Sequence, residues 1–333
     1  MSRLESNTAS NMSGVGVLAP ELEWGGNLRL RRILCPVDLS EISERALFHA
    51  ARIASHYDAR LFVQHVFPTL AGQESKRGGE SLQIEELPPE LQSKELEVRD
   101  VIGRTGADRC HMSLILNDGD PRERILETIS AKHIDLMVIG THGRRGLKRL
   151  VQGSLTERVI HQATCPSLVI SRRGPHAAPR SKFDPLRLKT ILAPTDFSAN
   201  SMRLVIYALR WAWDPSSHVV LLHTVETAPP ALGKLSDLLP EYGADIEVRL
   251  REAFGKMRAL IPFPERLPCQ VEFEVRDGDP QEQILRVAKE KRADLIIMGA
   301  RILENPAAVW GSTIAGVLRD GRYPVLAVRH LGE

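Results

Sequence analysis

Residues 135–140 read Asp-Leu-Met-Val-Ile-Gly, and residues 294–299 read Asp-Leu-Ile-Ile-Met-Gly. Each stretch is a continuous apolar run that begins at an aspartate and ends at a glycine. Unbroken apolar runs of this length are typical of strands that are buried on both faces of a parallel sheet. The two stretches therefore predict one central strand in each of two similar α/β units.

Other motifs repeat in the same order along the chain, at offsets of 158 or 159 residues. The paired motifs are residues 35–40 (Cys-Pro-Val-Asp-Leu-Ser) and 193–198 (Ala-Pro-Thr-Asp-Phe-Ser), residues 118–121 and 277–280 (Asp-Gly-Asp-Pro in both), Gly153-Ser154 and Gly311-Ser312, and residues 165–170 and 323–328. Landmarks that keep one order and a nearly constant offset indicate a duplicated domain.

The repeat also sets the predicted domain boundaries. Residues 1–27 are rich in Ser, Asn and Gly and predict a disordered tail. The first unit is expected over 28–172 and the second over 187–333. Residues 173–186 contain three prolines and no apolar periodicity, which is typical of a linker.

Composition excludes some functional classes. The 333 residues carry a net charge of only +2, which argues against a dedicated nucleic-acid binder. No apolar run approaches the roughly 18 residues of a membrane-spanning helix, so no membrane role is expected. The four cysteines are scattered singly, which favours reduced thiols and a cytoplasmic location.

Apolar runs alternate with amphipathic stretches, the pattern of β-α-β units around a parallel sheet. Ser40 is the expected N-cap of the first helix, and Pro121 is expected in the first turn of the third. The first unit is predicted to hold strands at 31–38, 60–67, 111–117, 135–140 and 166–171 and helices at 41–56, 88–106, 121–133 and 154–163; the second unit is predicted to repeat all nine elements.

The predicted functional site lies at the carboxyl ends of the strands, because ligands of open parallel sheets bind there. Asp38, Val66 and Gly140 each stand at such an end. Gly140 also opens the pattern G-x2-G-x9-G-S, which closes at Gly153-Ser154 at the start of the fourth helix. Glycines allow close backbone approach and a helix start supplies free N–H donors, so a phosphate group is the expected ligand.

These motifs together resemble the universal stress protein family, over about residues 30–171 and again 188–330. The resemblance implies tandem Rossmann-like domains of the adenine nucleotide alpha hydrolase type, each a five-stranded parallel sheet of order 3-2-1-4-5. It implies ATP as the ligand, with the metal, Mg²⁺ or Mn²⁺, left open. The residues that it places at the nucleotide are Pro36, Val37, Asp38, Val66, Ile139, Gly140, His142, Gly143, Gly153, Ser154, Leu155 and Thr156.

The second copy departs from this pattern. Ile302 stands where the second glycine is expected, and a β-branched residue suits close backbone approach poorly. The first loop carries Arg144, Arg145, Lys148 and Arg149, whereas the second has Arg301 with Glu304. We therefore expect one strong site per chain and a weaker second site, formed by Asp196, Gly299, Gly311 and Ser312.

Three functions remain open on the sequence. The first is a stress-response regulator whose signal is ATP occupancy, because the chain lacks the G-x-x-x-x-G-K-[ST] motif of efficient nucleotide hydrolases. The second is a weak ATP hydrolase or nucleotidyl-type enzyme on the same fold, although Thr141-His142-Gly143-Arg144 is not the H-x-G-H of such enzymes. The third is a nucleotide-free interaction module. No catalytic residue is predicted. Nucleotide contact is the favoured role of Asp38; capping of the first helix is the alternative, and the two roles are compatible.

The resemblance also implies an assembly. The fifth strands, Ser167 to Ser171 and Val325 to Arg329, would lie at sheet edges and pair antiparallel within one chain as an intramolecular pseudo-dimer. An apolar edge exposes N–H and C=O groups that need covering, which gives the pairing a physical motive. A homodimer of whole chains is left open.

Overall fold

The computed structural model describes residues 28–67, 89–141, 155–171, 188–212, 215–226, 240–300, 312–320 and 322–329. The predicted tail and linker lie outside these ranges. The first unit contains β1 (Arg32–Pro36), α1 (Glu41–Tyr57), β2 (Arg60–Phe67), α2 (Pro89–Thr105), β3 (Met112–Asp118), α3 (Pro121–Ala131), β4 (Leu136–Gly140), α4 (Leu155–Gln162) and β5 (Ser167–Ile170).

The second unit repeats this order. It contains β6 (Thr190–Pro194), α5 (Ala199–Trp211), β7 (His218–Val225), α6 (Pro240–Leu260), β8 (Gln270–Asp277), α7 (Pro280–Glu290), β9 (Leu295–Ala300), α8 (Ser312–Asp320) and β10 (Val325–Arg329). All nine elements predicted for each copy are therefore present. Two short 3₁₀ turns, Ala107–Arg109 and Pro264–Arg266, are additions that the apolar pattern did not predict.

Each unit contributes five parallel strands in the predicted order 3-2-1-4-5, and the strands form one sheet of order β3-β2-β1-β4-β5-β10-β9-β6-β7-β8. The two halves meet where β5 and β10 pair antiparallel, with Val169 opposite Val325 and Leu168 opposite Leu326. This pairing covers the apolar edge of both fifth strands.

Helices cover both faces of the sheet. One hydrophobic cluster joins α1, α2, α5 and α6 to one face, and a second joins α3, α4, α7 and α8 to the other. Consecutive residues of one strand belong to opposite clusters, as Ile33 and Leu34 of β1 do. Burial on both sides explains why the strands are continuous apolar runs.

The aspartates that open the two diagnostic runs act at the opposite end of the strands from the predicted site. The Asp135 carboxylate accepts hydrogen bonds from the backbone N–H groups of Arg31 and Arg32, at 2.9 and 2.8 Å. Asp294 accepts from Lys189 and Thr190 in the same way, at 2.8 and 2.9 Å. Each aspartate therefore ties the first strand of its unit to the fourth.

Candidate functional site

The turn after β1 is built around the Asp38 carboxylate. Its Oδ1 accepts hydrogen bonds from the Ser40 backbone N–H at 3.1 Å and the Ser40 hydroxyl at 2.5 Å. Ser40 then caps α1, because its Oγ accepts from the Ser43 N–H at 3.3 Å. This turn ends β1 at Pro36, two residues before the predicted end. Asp38 thus supports the predicted cap and remains half-buried rather than enclosed.

The residue between Asp38 and the cap has an unusual backbone. Leu39 has φ 63°, and its counterpart Phe197 in the second unit has φ 60°. This left-handed conformation costs a bulky L-residue about 1–2 kcal/mol. Such strain is commonly kept at ligand clamps and functional turns. The duplication retains it at the same place in both units.

His65 on β2 fixes the end of β1. Its Nδ1 lies 2.7 Å from the Val37 carbonyl oxygen, and the side chain is buried. The ring also meets Phe67 edge-on, with the centroids 4.9 Å apart. Sequence reasoning missed this residue. Its signal was the recurrence of the histidine as His223, which contacts the Thr195 carbonyl oxygen at 2.8 Å.

Gly140 ends β4 where α1 passes closely. A Cβ on Gly140 would lie 2.9 Å from Ile42 Cγ1 and 3.1 Å from the Ile42 carbonyl oxygen. The glycine is therefore required by packing, whatever ligand binds. The next residue, Thr141, continues the edge by donating its N–H to the Ile170 carbonyl at 3.0 Å.

The fourth helix begins beside this glycine. Leu155 is the first residue of α4, and the Thr156 hydroxyl donates to the Gly140 carbonyl at 3.0 Å. Thr156 therefore anchors the start of α4 to the end of β4. The other residues predicted to contact phosphate lie outside the described part of the chain: His142, Gly143, Gly153 and Ser154.

The predicted residues that are described do gather at one edge. Pro36, Val37 and Asp38 end β1, Val66 lies at the end of β2, and Ile139 and Gly140 end β4. β1 pairs with β2 through Pro36, but its recorded pairs with β4 end at Leu34. Within the described strands, β1 and β4 therefore part before their carboxyl ends. This parting lies between the first and fourth strands, where the strand order reverses and α/β sheets bind ligands.

The second unit has the same turn after its first strand, but different side chains surround that turn. The Asp196 carboxylate accepts from the Ser198 N–H and hydroxyl at 3.0 and 2.5 Å. The Phe197 ring lies 4.2 Å from the His223 ring, centroid to centroid. Burial lowers the pKa of His223, which outweighs the opposing effects of its hydrogen bond to Thr195 and the Asp196 charge. Burial therefore favours the neutral form of this imidazole.

Gly299, the counterpart of Gly140 in the second unit, is placed less tightly. A Cβ on Gly299 would lie 3.2 Å from Leu204 Cδ1, which is the end of a flexible side chain. Ser312 is the first residue of α8, and Gly311 lies outside the described residues. A side chain is therefore less restricted by packing at Gly299 than at Gly140.

The Asp-Gly-Asp-Pro motif has a structural role in both units. Gly119 and Gly278 have φ 116° and 117°, a region open mainly to glycine. Asp120 caps α3 by accepting from the Glu123 N–H at 3.1 Å, and Pro121 follows in the first turn as predicted. Among the described residues, no three His, Cys, Asp or Glu side chains are grouped to hold a metal.

The three buried cysteines, Cys35, Cys165 and Cys269, do not offer nucleophiles. All four are free thiols, and burial raises the pKa of Cys165 to about 12 and that of Cys269 to about 11. A thiol with such a pKa is protonated at neutral pH and reacts slowly.

Fold and site together define a tandem, doubly wound α/β protein whose candidate ligand site lies at the strand-order reversal of each unit. The model of the universal stress protein family matches residues 29–171 and 187–329. The chain therefore belongs to the universal stress protein family, with two family domains in tandem. Membership supports a stress-related role.

Individual relatives match one unit at a time. A universal stress protein of Methanocaldococcus jannaschii is 32% identical over 148 residues, covering 44% of this chain and 85% of the relative. Universal stress protein A homolog 1 of Coxiella burnetii is 30% identical over 154 residues, covering 43% of this chain and 97% of the relative.

A universal stress protein structure from Archaeoglobus fulgidus matches across both units. It covers 90% of this chain and 96% of that one, with a TM-score of 0.60 and 20% identity. At this identity the likeness concerns the fold. Separately, none of the described helices is long and apolar enough to cross a membrane.

Proposed function

We propose that this chain is a nucleotide-dependent regulator of the stress response that binds ATP in its first unit, residues 28–172. The signal is occupancy of the site rather than turnover. The second unit, residues 187–333, is a structural partner with a degenerate phosphate loop, joined through the linker at 173–186. A cytoplasmic location fits a regulator of this kind.

The end of β2, which continues to Phe67 beyond its last pair with β1, carries the proposal. The Gln64 carbonyl accepts from the Val37 N–H at 2.8 Å, so Gln64 directs its backbone polar groups toward β1. Val66, two residues further along, directs its N–H and C=O to the same side, beyond the end of β1. A backbone donor and acceptor side by side match the edge of an adenine base. The half-buried Asp38 carboxylate follows the end of β1 and would be a partner for the ribose or base.

The phosphates would extend toward α4. Helix starts favour anions through free N–H groups and the helix dipole. Thr156 fixes this start against Gly140. The intervening segment carries Gly143, Gly153 and Ser154 together with four basic side chains in its sequence. Mg²⁺ or Mn²⁺ would enter with the nucleotide, since such ions are commonly bound through substrate phosphates.

The paired fifth strands support a further part of the proposal, that one chain works as an intramolecular pseudo-dimer. The contact of β5 with β10 joins buried residues of both units, among them Val169 and Leu326. A short linker also keeps the units at a high effective concentration, in the millimolar range. The asymmetric pair would then present one ATP site beside one degenerate copy.

Calorimetry with the full chain tests the site. We expect about one ATP per chain, and we expect Gly153→Val to weaken binding about tenfold or more, because a β-branched side chain would intrude on phosphate contacts. Gly311→Val is the matched control and should leave the affinity unchanged. Two equivalent sites per chain, or unchanged affinity in Gly153→Val, would refute the asymmetric assignment.

Nucleotide release from denatured pure protein separates the proposed function from its alternatives. Recovery of intact ATP supports an occupancy signal. Converted products would favour a weak hydrolase or nucleotidyl-type enzyme. Absence of any nucleotide, together with no calorimetric binding, would favour a nucleotide-free interaction module.

A further inference from the structure

The last strand of the second unit presents an open backbone edge. β8 is the terminal strand of the sheet and, among the described strands, pairs with β7 alone. The Gln270 N–H donates to the Ser217 carbonyl at 3.0 Å, so Gln270 faces β7. Backbone groups alternate in direction along a strand, and those of Val271, Phe273 and Val275 therefore point away from the sheet. An edge of this kind is a template for pairing with another strand.

The side chains of β8 are ordered by ion pairs on one face of the sheet. Lys291 Nζ lies 2.5 Å from Glu272 Oε1 and 2.7 Å from Glu274 Oε1. Arg276 Nε lies 3.1 Å from Glu274 Oε2, and a second Arg276 nitrogen lies 3.0 Å from Glu290. Charged side chains protect edge strands from pairing. Here the charges are held in place and largely compensated within the chain.

Exposed aromatic surface lies beside the same edge. Phe254 of α6 is 41% exposed, and its ring centroid lies 6.5 Å from that of Phe273 on β8. Phe263, in the connection between α6 and β8, is 50% exposed. Aromatic side chains of this kind contribute strongly to interfaces when they become buried.

The sequence of β8 is complementary to itself when read antiparallel. With Glu274 on the twofold axis, Glu272 faces Arg276 of the other copy, and Phe273 faces Val275 of the other copy. Residues directly opposite in antiparallel strands interact most strongly, and opposite charges or apolar pairs stabilise them. Glu274 would face itself, but Lys291 and Arg276 of its own chain already compensate its charge.

We infer that β8 is the docking edge for a second copy of this chain, paired antiparallel about Glu274. The assembly would be isologous, since the same strand serves both partners. The opposite edge of the sheet lacks this pattern, because β3 reads Met-Ser-Leu-Ile-Leu-Asn-Asp with no opposed charges. Chain association therefore runs through the second unit and leaves the first free for its ligand.

Charge variants test the register. Arg276→Glu alone places Glu272 opposite a glutamate, and Glu272→Arg alone places Arg276 opposite an arginine. Each should weaken dimerisation about tenfold or more in sedimentation equilibrium of the full chain. Mixing the two single variants should restore a heterodimer, because both pairs between positions 272 and 276 are again of opposite charge. A wild-type chain that stays at 37.1 kDa at all concentrations, or a mixture that forms no heterodimer, overturns the inference.

A backbone variant tests the pairing without altering charge. Val275→Pro removes an outward N–H and leaves the β7 side of the ladder intact, as edge strands allow. We expect it to abolish dimerisation while circular dichroism shows an unchanged fold. Leu114→Pro is the matched control, because the His111 carbonyl faces β2 and Leu114, three residues along, therefore faces outward. Retained dimerisation in Val275→Pro, or loss in Leu114→Pro alone, contradicts docking at β8.

Discussion

The two units share one backbone frame and differ in the polar layer beneath their outer strands. In the first unit this layer is built without opposed charges: Gln64 donates to Asn117 at 2.9 Å, and Arg60 donates to Ser113 at 2.8 Å. The second unit has the ion pairs of Glu272, Glu274, Arg276 and Lys291 in the corresponding place. The two units therefore have the same strand order, whereas the polar side chains of their outer strands, β3 and β8, differ.

The turn aspartates Asp38 and Asp196 show that a residue of a binding motif can have a structural role. Asp38 and Asp196 make the same two hydrogen bonds to the cap serine of the following helix, although only the first unit has the complete G-x2-G-x9-G-S sequence pattern. The aspartate is thus explained by folding before any ligand is considered. The proposed functional difference between the units would then arise from the residues that surround this turn.

Gly140 at the end of β4 and its counterpart Gly299 in β9 provide the largest contrast. Gly140→Ala forces a Cβ against Ile42, including its backbone oxygen, and should cost about 1–3 kcal/mol of unfolding free energy. Gly299→Ala meets only the flexible end of Leu204 and should cost clearly less. Urea unfolding of both variants measures the difference. Equal losses would show that the packing contrast is not energetically significant.

The two turn aspartates separate folding from binding. Asp38→Ala and Asp196→Ala should lower stability by similar amounts, about 1 kcal/mol, because each removes support for a helix cap. Only Asp38→Ala should also weaken ATP binding, by about tenfold. Calorimetry and urea unfolding on the same samples provide both quantities. If Asp196→Ala weakens ATP binding as much as Asp38→Ala, the assignment of the site to the first unit is wrong.

The ion pairs predict that the second unit is the more acid-sensitive. Burial alone would raise the pKa of Glu274, but Lys291 and Arg276 outweigh it and hold the pKa below its usual range. Stability from this carboxylate is present above the unfolded pKa and is lost as pH falls, between about pH 5 and pH 3. Tryptophan fluorescence reports on the second unit through the buried Trp211. Glu274→Gln should make the unfolding free energy depend less on pH in this range. An unchanged pH profile in this variant would contradict the assigned role of the Glu274 ion pairs.

His223 predicts a smaller effect at milder pH. Burial lowers its pKa below the usual value of about 6.5, so protonation opposes folding. Stability should therefore fall as pH drops below about 6.5, by less than about 1 kcal/mol for a half-buried group. His223→Asn keeps a donor toward Thr195 and removes the titration. Urea midpoints at pH 7.5 and pH 5.5 should then differ less than in the wild type.

Much of the fold was predictable because its signals are local. Ser40 and Pro121 mark helix starts through contacts within a few residues, and the apolar runs identify buried strands by composition. The boundaries shifted where a cap competed with a strand, as at Asp38. The candidate site was predictable as a set of strand ends, since parallel topology brings such ends to one edge.

The sequence by itself determined the duplication, the order of the elements and the family. Tertiary structure decided which residues hold the site in shape. His65 meets the Val37 carbonyl across 28 residues, and Gly140 is small because Ile42, nearly 100 residues earlier, passes against it. The predicted strand order already placed β8 at an outer edge, but only the structure shows how Glu272, Glu274 and Arg276 are paired there. These features depend on contacts between distant segments, and neither periodicity nor spacing along the chain specifies which segments meet.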